Sequence, residues 1–296
     1  MGLDTAEALR SIDPGRHVII AGPTASGKSD LAMAIAAAQG GTVVNADALQ
    51  IWSCWRVLTA RPDAAAEAAV PHALYGHVAP GQPYSVGDWL REVAGLGGRL
   101  IVTGGTGLYL SALTEGLAHI PPVPPEIRAR GDDWLAAGGL AEMVAALDAP
   151  TREKIDTNNP ARVQRAWEVL EATGRGLSDW QKDSPPPLIP AGAAQCLVLE
   201  SDRDWLAGRI ERRFWQMWEV GAVAEVEAML PRWNARAQWT RAIGAPEIAA
   251  YLRGELDAET ARHRAVVATR QYAKSQRIWF RSRMKGWEKL RVGPAG

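Results

Sequence analysis

The stretch HVIIAGPTASGKS, residues 17–29, decides the fold. Its first five residues read as a short buried strand, and the next eight fit the pattern G-x-x-x-x-G-K-[ST]. A helical pattern follows over 27–39. Strand, glycine loop and helix in that order form a phosphate cradle. Loop N–H groups converge on phosphate oxygens, and the helix N-terminus adds its positive end. Gly22, Pro23, Thr24, Ala25, Ser26, Gly27, Lys28 and Ser29 are therefore the expected diphosphate- or nucleotide-binding residues. Lys28 supplies a point charge, and the Ser29 hydroxyl can reach Mg²⁺ bound to the phosphates. The loop recognises a diphosphate or triphosphate and does not say which molecule carries it.

Outward from the loop, strands and helices alternate. Residues 42–46 (TVVNA) read as a second strand ending at Asp47, and 100–103 (LIVT) as a third running into Gly104-Gly105 and a helix from about Thr106. Between them, 85–96 reads as a helix with Ser85 as N-cap and Asp88 in the capping-box position. This alternation predicts an α/β fold: a parallel sheet of the P-loop NTPase type flanked by helices. The character then changes. Proline-rich joints at 120–134 (IPPVPPEIRARGDDW) and 184–190 (SPPPLIP) bracket helical patterns at 126–147 and 160–173. Strand pattern returns at 194–199. An all-helical insertion over 119–191 is expected inside a catalytic core made of 1–118 and 192–296. The remainder reads as helix over 202–230 (Ser201 or Asp202 as N-cap), 244–253 and about 258–284.

The composition, 47% hydrophobic and 22% charged over 296 residues, is that of a globular protein of about two domains. The longest obvious apolar run, over 31–38, falls short of the roughly 18 residues of a membrane span. No signal-peptide pattern opens the chain, so a cytoplasmic protein is expected. Cys54 and Cys196 are too few for a disulfide framework or a Cys-built zinc site. The 33 basic and 33 acidic residues cancel, but unevenly. Residues 1–150 carry 9 Lys/Arg and 15 Asp/Glu, net −6, whereas 151–296 carry 24 and 18, net +6. This asymmetry fits either a solvated C-terminal helix or an anionic macromolecular partner.

Several residues can carry chemistry. A P-loop NTPase needs a further strand ending in an Asp for Mg²⁺. Here the 100–103 strand runs into Gly104-Gly105-Thr106, without a carboxylate, and the acid is Asp47 instead. Asp47 is either a cap or loop acid or, at the ligand-binding ends of the strands with Thr106, a general base. Arg270, Lys274, Arg277 and Arg281 are spaced 4, 3 and 4 apart on one helix face, suited to tracking a phosphate backbone. Val267, Ile278 and Met284 are expected on the buried side of that helix. An arginine from Arg209, Arg212 and Arg213 could fold back onto the phosphates. Of the thirteen tryptophans, Trp205, Trp215, Trp218 and Trp279 sit in helices and read as core sooner than as base-stacking platforms.

With these pieces in order, the chain resembles the bacterial tRNA dimethylallyltransferase (tRNA prenyltransferase) family. The resemblance is carried by GPTASGKS (22–29), NADALQIW (45–52), TARP (59–62), PHALY (71–75), YSVGDW (84–89) and GGTGLYL (104–110). It continues in NPARVQRAWEVLEATG (159–174), RIERRFWQM (209–217) and RQYAKSQRIWFR (270–281). It implies transfer of a dimethylallyl group from its diphosphate to N6 of the adenosine on the 3′ side of the tRNA anticodon, position 37. The phosphate loop would then hold dimethylallyl diphosphate with Mg²⁺, and Asp47, Thr106 and Arg209 would be catalytic. Family positions that touch tRNA correspond to Asp47, Ala48, Leu49, Gln50, Thr106, Arg128, Ala161, Arg162, Val163, Gln164, Arg165 and Arg241. The stripe of Arg270, Lys274, Arg277 and Arg281 adds to them. The insertion would embrace the anticodon stem-loop, and a monomer without membrane contact is expected. The alternative is a small-molecule kinase using ATP on the same loop.

The chain departs from the family pattern at three places. Ala48 stands where a serine is common, and Leu58-Thr-Ala-Arg61 where Gly-Thr-Ala-Lys is. Gly244-Ala245-Pro246-Glu247 replaces Gly-Tyr-Arg-Glu, so an arginine expected near tRNA is missing.

Overall fold

The computed structural model describes residues 5–293. The chain forms two compact units, Met1–Thr114 with Ile189–Gly296, and Glu115–Leu188. The joints lie at 114/115 and 188/189. Ile189 is buried in the larger unit, and its N–H donates to the Leu113 carbonyl oxygen at 3.1 Å.

The larger unit is built on six strands: β1 (His17–Ala21), β2 (Thr42–Asn45), β3 (His72–Ala73), β4 (Leu100–Gly104), β5 (Ala194–Ser201) and β6 (Glu288–Val292). Their order is β3-β2-β4-β1-β5-β6, and every pairing is parallel. This is the P-loop type of sheet expected from residues 17–29. Successive side chains of β1 point to opposite faces. Val18 and Ile20 pack with Leu31 and Ile35 of the helix Lys28–Gln39, while Ile19 and Ala21 face a second core containing Trp55, Trp89 and Phe214. Both faces are covered, which explains why the central strands are continuous apolar runs. Two of the largest buried rings keep their polar atoms satisfied. Trp89 Nε1 donates to Asn45 O at 2.7 Å, and Trp55 Nε1 to Trp239 O at 2.8 Å.

Both bonds of the Ser85–Asp88 capping box are present, and Asp202 caps the helix Arg203–Met217. Other expectations need correction. The helix read over 126–147 is interrupted between Pro125–Ala136 and Leu140–Ala145, at Gly138 and Gly139. The helix read over 202–230 breaks at Gly221, whose φ of 141° no helix contains. β3 and β6 are additional strands; β6 (EKLRV) is an edge strand whose charges obscured it. In the long helix Ala258–Arg283, Met284 is buried next to its end, but Ile278 is 51% exposed. Trp215 is likewise 48% exposed rather than core.

The smaller unit is helical. Its core gathers Met143, Leu147, Val163, Ala166 and Trp167 around the helix Pro160–Thr173, which starts at an Asn159 cap and ends at left-handed Gly174.

Candidate active site

The phosphate loop leaves β1 at Gly22 and enters the helix at Lys28. Ala25 (φ 64°) and Gly27 (φ 91°) both take the left-handed conformation that folds the loop back. The first-turn N–H groups of the following helix have no intrahelical partner, so they point to an incoming anion. The buried Ser26 hydroxyl has no hydrogen-bond partner among the described residues. Lys28 folds over the loop, with Nζ 3.4 Å from Pro23 O.

Two arginines reach the loop from the helix Arg203–Met217. Arg209 Nε donates to Ala25 O at 2.9 Å, and Arg213 Nη2 to Thr24 Oγ1 at 2.7 Å. They are four residues apart and share a helix face, while Arg212 is exposed. The fold-back contact is thus made by Arg209 and also by Arg213.

The ends of β2 and β4 are tied together beside the loop. Thr106 N–H donates to Ala46 O at 3.2 Å, and Ala48 N–H to Thr106 Oγ1 at 2.9 Å. Asp47, 8% exposed, is held by Asn45 Oδ1 accepting its N–H at 2.9 Å and by Leu49 N–H donating to its Oδ1 at 3.0 Å. No hydrogen bond from a described residue falls on Oδ2. Gly105 is the close point: a Cβ there would lie 2.1 Å from Gln276 Nε2 and 3.4 Å from Asp47 Oδ2. Gln276, nearly fully buried, donates from Nε2 to Gly105 O at 3.0 Å and accepts Thr24 N–H at 2.9 Å.

The electrostatics converge on Asp47. Burial lowers Lys28 to about 8, with Asp47 pulling it up and Arg213 pushing it down. Burial also lowers Arg213, opposed by Asp47 and helped by Arg209. Tyr272 is raised by burial and further by Asp47, while its hydrogen bonding to Thr106 and Gln276 works the other way. A pocket adjoins these groups. Thr24, Asp47, Arg213 and Tyr272 line it with Leu49, Leu58, Ile210, Phe214, Met217 and Ile243, so charge meets an apolar wall.

Gln50 also lines this pocket, but its Nε2 holds the following turn through Thr59 O (2.8 Å) and Ala60 O (3.1 Å). On the long helix, Arg270, Lys274 and Arg281 are exposed and Arg277 is half-buried. Arg270 is engaged with Glu211 at 2.7 Å. Arg241 is exposed. In the smaller unit, Arg128 and Arg165 each lie 3.8 Å from the buried carboxylate of Glu168, and Gln164 donates to Glu168 at 3.1 Å. Ala161 and Arg162 are exposed, but Val163 is fully buried. Its side chain fills the unit's core, so it is removed from the RNA-contacting set. Gln276 and Tyr272 were not singled out from the sequence as site residues. Gln276 carried a signal: it is a polar residue in the buried row of Ala265, Ala273 and Phe280.

Against this geometry, a family model described as IPP transferase matches residues 50–283. The chain belongs to that family. A tRNA dimethylallyltransferase of Paracoccus denitrificans is 63% identical over 96% of this chain and 97% of its own length. One of Cereibacter sphaeroides is 58% identical over 96% and 91%. Among solved structures, the tRNA isopentenylpyrophosphate transferase of Bacillus halodurans aligns with a TM-score of 0.65 at 29% identity, covering 94% of this chain and 90% of that one. A eukaryotic dimethylallyltransferase acting on tRNA aligns with a TM-score of 0.77 at 25% identity, over 93% and 73%. Among the described residues, no helix is long and apolar enough to cross a membrane.

Proposed function

We propose that this chain transfers a dimethylallyl group from dimethylallyl diphosphate to N6 of adenosine 37 of tRNA, on the 3′ side of the anticodon, and releases diphosphate. The observation that carries this reading is one cavity lined together by Thr24 of the phosphate loop, Arg213, the Asp47 carboxylate and an apolar wall that includes Ile210, Phe214, Met217 and Ile243. A kinase would need a further acid to hold metal, and β4 runs at Gly104 into Gly105-Thr106 instead.

The roles follow from position. The loop holds the diphosphate, and Lys28, Arg209 and Arg213 surround it with positive charge. As the C1–O bond breaks, its electron pair leaves on the diphosphate, and these cations stabilise the growing charge. The N6–C1 bond forms, and the N6 proton passes to Asp47 Oδ2. Thr106 fixes the backbone after Asp47 by accepting the Ala48 N–H. The adenine must leave its stack to enter the pocket, at a cost of a few kcal/mol.

Mg²⁺ fits the donor chemistry here. Ser29 offers a hard oxygen at the loop–helix junction, and no cluster of three or more His, Cys, Asp or Glu among the described residues offers a rival protein cage. Held by Ser29 and the phosphates, the ion would neutralise charge on the leaving diphosphate. The RNA would be gripped by Ala161, Arg162, Arg128 and Arg165 of the smaller unit, and by residues 47–50, Arg241 and the stripe of Arg270, Lys274, Arg277 and Arg281. We take the working form to be a cytoplasmic monomer. Incubation with labelled dimethylallyl diphosphate and unmodified tRNA should place label on the RNA. Phosphate transfer from ATP to a small acceptor, with no label on tRNA, would overturn the reading.

A further inference from the structure

Three consecutive backbone N–H groups, those of Arg56, Val57 and Leu58, converge on one side chain. Glu225 Oε1 accepts from Arg56 at 2.9 Å and from Val57 at 2.8 Å, and Oε2 accepts from Leu58 at 2.9 Å. Convergent amides of this kind form a concave anion site, and here the protein fills it with its own carboxylate. The fit is specific to a carboxylate, because both of its oxygens only accept. A glutamine would turn an NH₂ donor towards one of the same N–H groups.

The turn that Glu225 holds is also gripped through its carbonyls. Gln50 Nε2 donates to Thr59 O at 2.8 Å and to Ala60 O at 3.1 Å. Ala60 itself sits at φ 50°, a left-handed conformation that an alanine keeps only where its surroundings impose it. Leu58 and Thr59 of this turn line the pocket, and so does Gln50, whose own N–H donates to Asp47 O at 3.1 Å. A continuous series of hydrogen bonds therefore runs from the helix Val223–Met229 through residues 56–60 to the turn that carries Asp47. The break at Gly221 falls beside the same turn, where a Cβ on Gly221 would lie 3.7 Å from Val57 Cγ2. One helical stretch thus sends Arg209 and Arg213 to the phosphate loop and, past the break, Glu225 to the wall formed by residues 58–59.

We propose that Glu225 is a positioning residue for the transfer: seated in the 56–58 amides, it sets the pocket wall at Leu58 and Thr59 and, through Gln50, the place of Asp47. This role rests on the proposed function, since it takes the pocket to be where transfer occurs. The test uses Glu225→Ala and Glu225→Gln; the second keeps the size and one acceptor should the first fail to fold by circular dichroism. The kcat for prenyl transfer to tRNA should fall by about 10-fold in Glu225→Gln and about 100-fold in Glu225→Ala, the scale of a misplacement of about 1 Å. Inorganic pyrophosphate, titrated by calorimetry, should bind both variants within about 2-fold of the wild type, because Arg209, Arg213 and Gln276 hold the phosphate loop by contacts of their own. Hydrogen exchange read by mass spectrometry should show residues 56–58 losing protection in both variants. Wild-type kcat in a folded variant, unchanged exchange at 56–58, or a loss of pyrophosphate affinity as large as the loss of kcat overturns the proposal. A wild type that never labels tRNA, while residues 56–58 lose protection in the variants, would refute the proposed function and leave the clamp standing.

Discussion

Gln276 Oε1 accepts the backbone N–H of Thr24 at 2.9 Å, joining the long C-terminal helix to a loop 252 positions earlier in the chain. The same amide donates to Gly105 O, so one side chain fixes the phosphate loop against the end of β4. Gln276→Ala leaves a part-buried N–H and a buried carbonyl without partners, at about 1–3 kcal/mol for the buried group and less for the other. The expected result is a lower Tm together with a raised KM for the prenyl donor. Thermal unfolding and steady-state kinetics read the two effects separately. A variant with normal stability and normal donor KM would show that the bridge is dispensable.

Asp47→Asn removes the proton acceptor but keeps a side-chain oxygen for Leu49 N–H. Transfer should fall by about 10²–10⁴, the range of a lost general base. Affinity for tRNA, measured by filter binding, should stay near that of the wild type. A variant that transfers at the wild-type rate would remove Asp47 from the chemistry.

Lys28 is lowered to about 8 from the ordinary 10.5, and this has a definite sign. Between those values the unfolded chain binds more protons, so Lys28 makes stability rise with pH in that window. Below about 8 the cost of its buried charge is fully present. Cys54 and Cys196, raised to about 12 and about 11, act in the opposite direction from pH 9 upward. The difference in stability between wild type and Lys28→Met across pH 7–10.5 therefore isolates the lysine. Diphosphate binding should restore its charge, with proton uptake near pH 8–9 visible by calorimetry in buffers of different ionisation enthalpy. Absence of that uptake would contradict a lysine poised at about 8.

The basic stripe is not uniform, because Arg270 is already paired with Glu211. Replacing Lys274, Arg277 and Arg281 together by alanine should weaken tRNA binding and flatten the slope of log affinity against log salt by about 2–3. Arg270→Ala should change the slope less. An unaltered slope in the triple variant would return the stripe to an ordinary solvated face.

Much of this architecture was legible in residues 17–29, because a strand, a glycine loop and a helix in sequence admit few folds. Asp47 and Thr106 were legible for a related reason: both stand where strands end, on the edge of a parallel sheet that receives ligands. Gln276 and Tyr272 were harder to find. They lie on an amphipathic helix, where one polar residue among many looks like solvated surface until a partner from a distant part of the chain comes into view. Val163 shows the opposite failure. Its neighbours Arg162 and Gln164 are accessible, but a helix turns each residue by about 100°, and one step carries Val163 into the core. β6 was missed because its outward charges mask an edge strand, and Gly221 because a single glycine is tolerated in many helices.

The order of the sheet has a consequence during synthesis. β1 lies between β4 and β5, and β5 is encoded only after the whole helical unit. A nascent chain of about 190 residues therefore holds a complete insertion but a core whose central strand still shows one unpaired edge. At roughly 5–20 residues per second the ribosome takes about 9–35 s to add the 173 positions between residue 21 and the pairing partner of His17 at 194. Throughout that interval β1 offers an apolar, hydrogen-bonding template to other chains, so nascent protein should depend on chaperone cover longer than its size alone would require.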